Sequence, residues 1–179
     1  MKRNYFFTTI IAFFLLPAAT LFAQFSELDN YVSRIWTSTD GLPGNSISDI
    51  LQSDDGYIYL GTYESLVRFD GYEFESINKY TNKNYSFVSA RSIFQDSTGT
   101  LWVGSNDEGV QKIDDGKTER YSTDNGLPNN SIRAFAEDKN HNLWIGTASG
   151  IVYLTPQGTF VTPKILENES SEYVLVSQL

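Results

Sequence analysis

Two arginines, Arg91 and Arg133, stand 42 residues apart at matching points of the chain. A guanidinium is a planar fork that pairs with a carboxylate or phosphate-like anion through two parallel hydrogen bonds. Two such groups on neighbouring strands could grip an acidic or sugar ligand, and carboxylates of the framework could equally hold them. Asp96-x-x-Gly99-x-x-Trp102 offers a carboxylate beside an indole. That aspartate could do acid chemistry, but Asp also closes its own turn by accepting backbone N–H bonds, and its recurrence as Asp138 favours the turn. Trp102 and Trp144 could stack on sugars or fill the space between sheets. Gly41-Leu42-Pro43 and Gly126-Leu127-Pro128 could present loops to a ligand or simply set turns. The single histidine, His141, has no spaced partner for a metal or a triad. There is no cysteine, so disulfides, thiolate metal sites and cysteine nucleophiles are excluded. No phosphate loop, nucleophile elbow or HExxH is present. The formal charge of −9, from 13 basic and 22 acidic residues, argues against nucleic acid as a partner. No catalytic, cofactor-binding or metal-binding residue is assigned, and Arg91 and Arg133 are the ligand-binding candidates.

The elements that position these residues follow from a repeat. Ile58-Tyr59-Leu60-Gly61-Thr62, Leu101-Trp102-Val103-Gly104-Ser105 and Leu143-Trp144-Ile145-Gly146-Thr147 align, with the glycines 43 and 42 residues apart. Ile50, Ile93 and Phe135 keep an offset of eleven from the glycine, and Ser53, Asp96 and Asp138 an offset of eight. Gly41-Leu42-Pro43 and Asn45-Ser46-Ile47 return 85 residues later, which is two periods. Each repeat reads as short β-rich strands separated by turns, with Asp70-Gly71 and Asp115-Gly116 at hairpin positions that require positive φ. Four strands in forty-odd residues is the arithmetic of a β-propeller blade. The expected fold is therefore all-β, a propeller of about three four-stranded blades whose ring is incomplete. Tyr59, Trp102 and Trp144 are expected in equivalent buried places.

The boundaries expected are an outer strand at 31–37, repeats at approximately 41–80, 81–122 and 123–165, and the start of a further blade at 170–179. Residues 1–23 read as a secretory signal peptide: Lys2 and Arg3, an apolar run from Tyr5 to Leu16, then small residues ending at Ala23. Cleavage after Ala23 leaves 24–179 as a partial propeller of charge −11. Thr8, Thr9, Pro17 and Thr20 leave too short a clean run for a membrane span. Three blades do not close a ring, so open edges are expected to invite self-association, and the chain reads as a truncated product.

Asp40-Gly41-Leu42-Pro43, Asn45-Ser46-Ile47, Arg68-Phe69-Asp70-Gly71 and Gln95-Asp96-x-x-Gly99-x-Leu101-Trp102-Val103-Gly104 resemble the two-component regulator propeller repeat, from about Trp36 to the C-terminus. The resemblance implies a periplasmic sensor region like those of hybrid two-component histidine kinases. It implies a non-enzymatic module that binds a small ligand, with oligosaccharide the favoured class, in a full-length parent. Kinase and output parts are not recognisable here, and no cofactor is implied. Two alternatives stay open: a propeller enzyme of glycosidase or lyase type, since Asp96-x-x-Gly99-x-x-Trp102 resembles the Asp-box turn of some glycosidases, and a scaffold or adhesion propeller. The chain departs from the repeat at Tyr59, where tryptophan is usual, at Ser65-Leu66, where Gly-Leu is common, and at His141, where the turn glycine belongs.

Overall fold

Strands form where β-branched and aromatic residues gather between turn residues, and here they gather three times. The computed structural model describes residues 33–164. The chain divides into two units at Ile35/Trp36, and the secondary structure among the described residues lies in the second. The first blade comprises β1 (Ile47–Gln52), β2 (Ile58–Thr62), β3 (Leu66–Phe69) and β4 (Phe74–Ile77). The second comprises β5 (Ser92–Gln95), β6 (Leu101–Gly104), β7 (Val110–Asp114) and β8 (Lys117–Tyr121). The third comprises β9 (Ile132–Glu137), β10 (Leu143–Thr147), β11 (Gly150–Leu154) and β12 (Phe160–Val161). Each blade is an antiparallel sheet in sequence order. The inner strands β1, β5 and β9 lie side by side across the blades.

The core lies between blades rather than within them. Leu101 and Val103 of β6 pack with Leu66, Phe87, Ala90 and Ile93 toward the first blade. Trp102, on the other face of the same strand, packs with Ile132, Leu143 and Ile145 toward the third. A strand buried on both faces needs an unbroken apolar run, which is why β6 reads Leu-Trp-Val-Gly. Each fully buried side chain of this kind contributes about 1.5–3 kcal/mol.

The repeated glycine marks where the next blade arrives. A Cβ on Gly61 would sit 2.6 Å from the Ala90 carbonyl oxygen, and one on Gly104 would sit 2.7 Å from Ile132 Cβ. Ala90 N–H donates to Thr62 O and Ile132 N–H to Ser105 O, both at 2.9 Å. Further along, the backbone N–H of Asp54 donates to Gln95 Oε1 at 2.9 Å, and that of Ser97 to Glu137 Oε2 at 2.8 Å. Both junctions are thus built alike: a knob at a glycine notch, a backbone bond beside it, and a side-chain latch.

Tyr59, Trp102 and Trp144 occupy the same register, each opposite an inner-strand residue (Leu51, Phe94, Ala136). Trp102 is buried, whereas Tyr59 and Trp144 are half-buried. The Asp115-Gly116 hairpin has positive φ at both residues, 46° and 75°. Two short 3-10 turns, Ser38–Asp40 and Thr123–Asn125, come without a legible helical period. Each is closed by its own cap and tied down by a recurring asparagine: Ser38 N–H donates to Asn45 Oδ1 at 3.1 Å and Thr123 N–H to Asn130 Oδ1 at 2.8 Å.

The outer strand expected at 31–37 is not seen: residues 33–37 are irregular, and 31 and 32 lie outside the described residues. A strand exists only by pairing, and no described strand pairs with this segment. Trp36 still packs edge-on against Phe69, ring centroids 5.3 Å apart. The signal peptide at 1–23 and the start of a further blade at 170–179 lie outside the described residues.

Candidate functional site

The inner strands begin with an irregularity that repeats. In β1 the register with β2 shifts between Ile47 and Asp49, and in β9 the register with β10 shifts between Ile132 and Ala134. Ser48 and Arg133 are the extra residues at these bulges, and Arg91 stands at the matching place just before β5. A bulge re-aims one side chain out of the regular alternation and is common beside functional sites. Ser48 uses its place structurally, donating Oγ to the Ala90 carbonyl at 2.8 Å. Arg91 donates from Nη1 to the neutral Asn106 Oδ1 at 3.1 Å. Half-buried Arg133 has no hydrogen bond or ion pair among the described residues. No described carboxylate holds either arginine, which weakens the framework reading of the pair. The two occupy equivalent places without touching each other among the described contacts.

The aspartates of the turns are fully committed. Asp96 Oδ1 accepts from Thr98 N–H, Thr98 Oγ1 and Thr100 N–H, while Oδ2 accepts from the Trp102 indole at 2.8 Å. Asp138 does the same through Asn140, Asn142 and the Trp144 indole, the last at 3.0 Å. The Asn142 side chain, then the Trp144 indole and the backbone donors hold the Asp138 carboxyl far below the usual carboxylate range. A general acid needs the opposite, a carboxyl that keeps its proton near neutral pH. The indole of Trp102 is buried and its N–H is occupied, so it fills the junction rather than offering a stacking face.

His141 sits in the turn as expected, with φ +60° at the place where Gly56 and Gly99 adopt +90° and +88°. The structure also gives it the partners that sequence spacing did not reveal. Its Nδ1 lies 2.9 Å from Glu137 Oε1 and 2.9 Å from Ser97 Oγ, and Ser97 Oγ donates to Glu137 Oε1 at 2.6 Å. Ser, His and a carboxylate meet, but both neighbours approach the same ring nitrogen. A nucleophilic relay requires the serine on one nitrogen and the acid on the other. The cluster is an inter-blade latch, and bonds from Ser97, then from His141, hold the Glu137 carboxyl below its ordinary value. Only superposing repeats reveals it, since Ser97 is 44 residues from His141. Beside it a cleft of about 420 Å³ runs between the second and third blades, lined among others by Trp102, Lys112, Glu119 and Tyr121. Burial and then Glu119 push the Tyr121 hydroxyl well above the ordinary tyrosine range. Among the described residues no group of three or more His, Cys, Asp or Glu side chains is placed to hold a metal ion. Among the same residues no helix is long and apolar enough to cross a membrane.

Residues 41–64, 84–107 and 126–149 each match the two component regulator propeller family. The chain carries three repeats of that family. The matched segments of this two-component regulator propeller run from the 3-10 turn or its equivalent, across the bulge, to the end of the glycine-bearing strand. The chain is similar to the extracellular domain of a hybrid two component system from B. thetaiotaomicron, with TM-score 0.69 and 24% identity, over 82% of this chain and 20% of that one. Over 77 residues it is 36% identical to Histidine kinase P4 of Formosa agariphila, covering 38% of this chain and 6% of the kinase. It is also similar to a streptogramin B lyase, with TM-score 0.52 and 19% identity over 67% of this chain and 41% of the lyase, which shows the shared propeller fold alone. This regulator propeller thus spans about a fifth of the first solved relative's length.

Proposed function

We propose that this chain is an exported, non-enzymatic sensor module of a two-component system, working in the periplasm, and that it binds an acidic carbohydrate where its inner strands begin. The observation that carries the site is a pair of arginines at equivalent places, Arg133 at the β9 bulge and Arg91 just before β5, held by no described carboxylate in a chain of net charge −9 that has carboxylates to spare. A uronate or sulfate group fits a guanidinium fork, and the neighbouring hydroxyls suit polar loops such as the one bearing Asn106. The family match and the extracellular domains among the solved relatives support the sensor role. Ligand bound across two blades favours arrangements in which those blades are closed, and the shifted population is the signal to a membrane partner. The tightly bonded turn aspartates support the absence of acid catalysis.

Calorimetric titration of the chain with uronate-bearing and sulfated oligosaccharides, beside neutral ones, tests the proposal. Saturable binding of the acidic sugars is expected, weakened roughly 10- to 100-fold in Arg133→Gln, as loss of a charged hydrogen bond implies. Equal binding of neutral and acidic sugars, or binding indifferent to both Arg91→Gln and Arg133→Gln, overturns it.

A further inference from the structure

The residue two places after Gly61, Gly104 and Gly146 differs in every blade: Tyr63 between β2 and β3, Asn106 between β6 and β7, Ala148 between β10 and β11. These turns and the starts of the inner strands form one row. Asn106 N–H donates to Ser89 Oγ at 3.1 Å and Ala148 N–H to the Ser131 carbonyl at 2.9 Å, which sets each turn beside its own arginine-bearing segment. The bonds from Ala90 N–H to Thr62 O and from Ile132 N–H to Ser105 O carry the row from one blade to the next.

Charge changes along this row. The first turn carries Glu64 beside Tyr63, the second carries Asp107 and Glu108 beside Asn106, and the third, Thr147-Ala148-Ser149-Gly150, carries no acid. Arg91 spends a donor on Asn106 and does so in the most acidic of the three turns. Arg133 has Ala148 in place of that asparagine, so its turn offers neither a side-chain acceptor to the guanidinium nor a like charge to an arriving anion. At the other end Tyr63 is 61% exposed. Its ring is an apolar face with a polar tip, which suits the C–H face of an uncharged sugar, and Glu64 disfavours an anion beside it. We propose that the row reads an oligosaccharide in one direction: the acidic unit seats on Arg133, left open by Ala148, and a neutral unit lies on Tyr63. This rests on the acidic-carbohydrate reading above and adds the order of units that the site selects. Ala148 and Tyr63 are then the residues that determine specificity, and Arg91, held by Asn106, takes a lesser part in seating the charge.

Calorimetric titration of the full chain with two trisaccharides tests this, one built of neutral hexoses and one ending in a single uronate. The uronate probe is expected to bind more tightly. Arg133→Gln should weaken it roughly tenfold or more and abolish the preference, whereas Arg91→Gln should weaken it no more than about threefold. Ala148→Asn gives Arg133 the acceptor that Asn106 gives Arg91, and should weaken the uronate probe about fivefold with the melting temperature unchanged. Tyr63→Ala, at an exposed position, should weaken the uronate probe about threefold. A preference that survives Arg133→Gln and is lost in Arg91→Gln moves the acidic unit to the second blade, and overturns the proposal while the acidic-carbohydrate reading stands. So does a folded Ala148→Asn or Tyr63→Ala variant that binds the uronate probe as the unaltered chain does. Equal binding of the two probes by the unaltered chain, or binding of neither, overturns both.

Discussion

In the second and third blades an aspartate closes the turn after the inner strand and reaches across to hold a tryptophan indole. In the first blade Ser53 and Tyr59 stand in those two places. Ser53 instead donates to the Tyr57 carbonyl at 3.1 Å and to the Asp55 side chain. The exchanges belong together. An indole N–H needs an acceptor once it is covered, and a carboxylate six residues earlier, in the turn leading into the same strand, supplies it. A tyrosine carries its polar group at the tip, and the Tyr59 hydroxyl finds the Arg68 side chain instead of a turn carboxylate. The junctions differ in the same manner. Neutral Gln95 latches the first to the second blade, whereas ionised Glu137 latches the second to the third. Geometry is conserved while charge is not, so the two junctions should respond differently to the same stress.

The largest expected effect removes the difference by breaking both junctions. Gly104→Val places a side chain against Ile132 and Phe135, and Gly61→Ala places one against the Ala90 backbone. Each should cost about 3 kcal/mol or more, because neither neighbour is the free end of a flexible chain. Thermal unfolding should show a drop for both, greater for the branched substitution.

Next, Asp96→Ala should destabilise by about 2 kcal/mol, since it leaves a buried indole N–H and turn donors unsatisfied. Ser53→Ala should cost under about 1 kcal/mol. Denaturant midpoints at constant slope decide between these values. Conversely, Ser53→Asp and Tyr59→Trp should show a favourable coupling of about 1 kcal/mol in a double-mutant cycle, visible only in the pair.

Acid should separate the junctions. The bonds to Ser97 and His141 hold the folded Glu137 carboxyl below its ordinary value of 4.5. Its contribution is therefore whole above that value and is lost as pH falls through the folded value. Melting temperature followed from neutral pH downward should fall in that window, and Glu137→Gln should flatten this part of the curve. Gln95→Glu should bring the same acid sensitivity to the first junction. An identical acid limb in all three proteins would show that the latch charges are irrelevant.

The smallest effect concerns His141. A histidine at φ +60° is strained relative to glycine, but it also contacts Glu137. His141→Gly should change stability by less than about 1 kcal/mol.

Much of this was readable in the residues. The period placed the strands and put Tyr59, Trp102 and Trp144 in one register, because a strand packed on both sides has little freedom to vary. The aspartates read correctly as turn residues since they recur. Three things were not legible. The Ser97–Glu137–His141 latch joins residues of different repeats, so no local spacing announces it. The 3-10 turns rest on side-chain caps of Thr37 and Ser122, which look like ordinary polar residues. The bulge at Ser48 and Arg133 is a register slip, and sequence alternation alone does not mark which residue is the extra one.

The glycine notch has a consequence for how such a protein can change its size. Because both junctions repeat one knob-and-notch contact, a blade needs little from its neighbour except another copy of the unit. A tandem duplication or deletion of one period, 42 or 43 codons here, adds or removes a blade without requiring a single new contact to be invented. Lineages carrying this repeat can therefore alter the width of the ring in one genetic step, and point mutations at Arg91, Arg133 and their equivalents can tune each new blade afterwards.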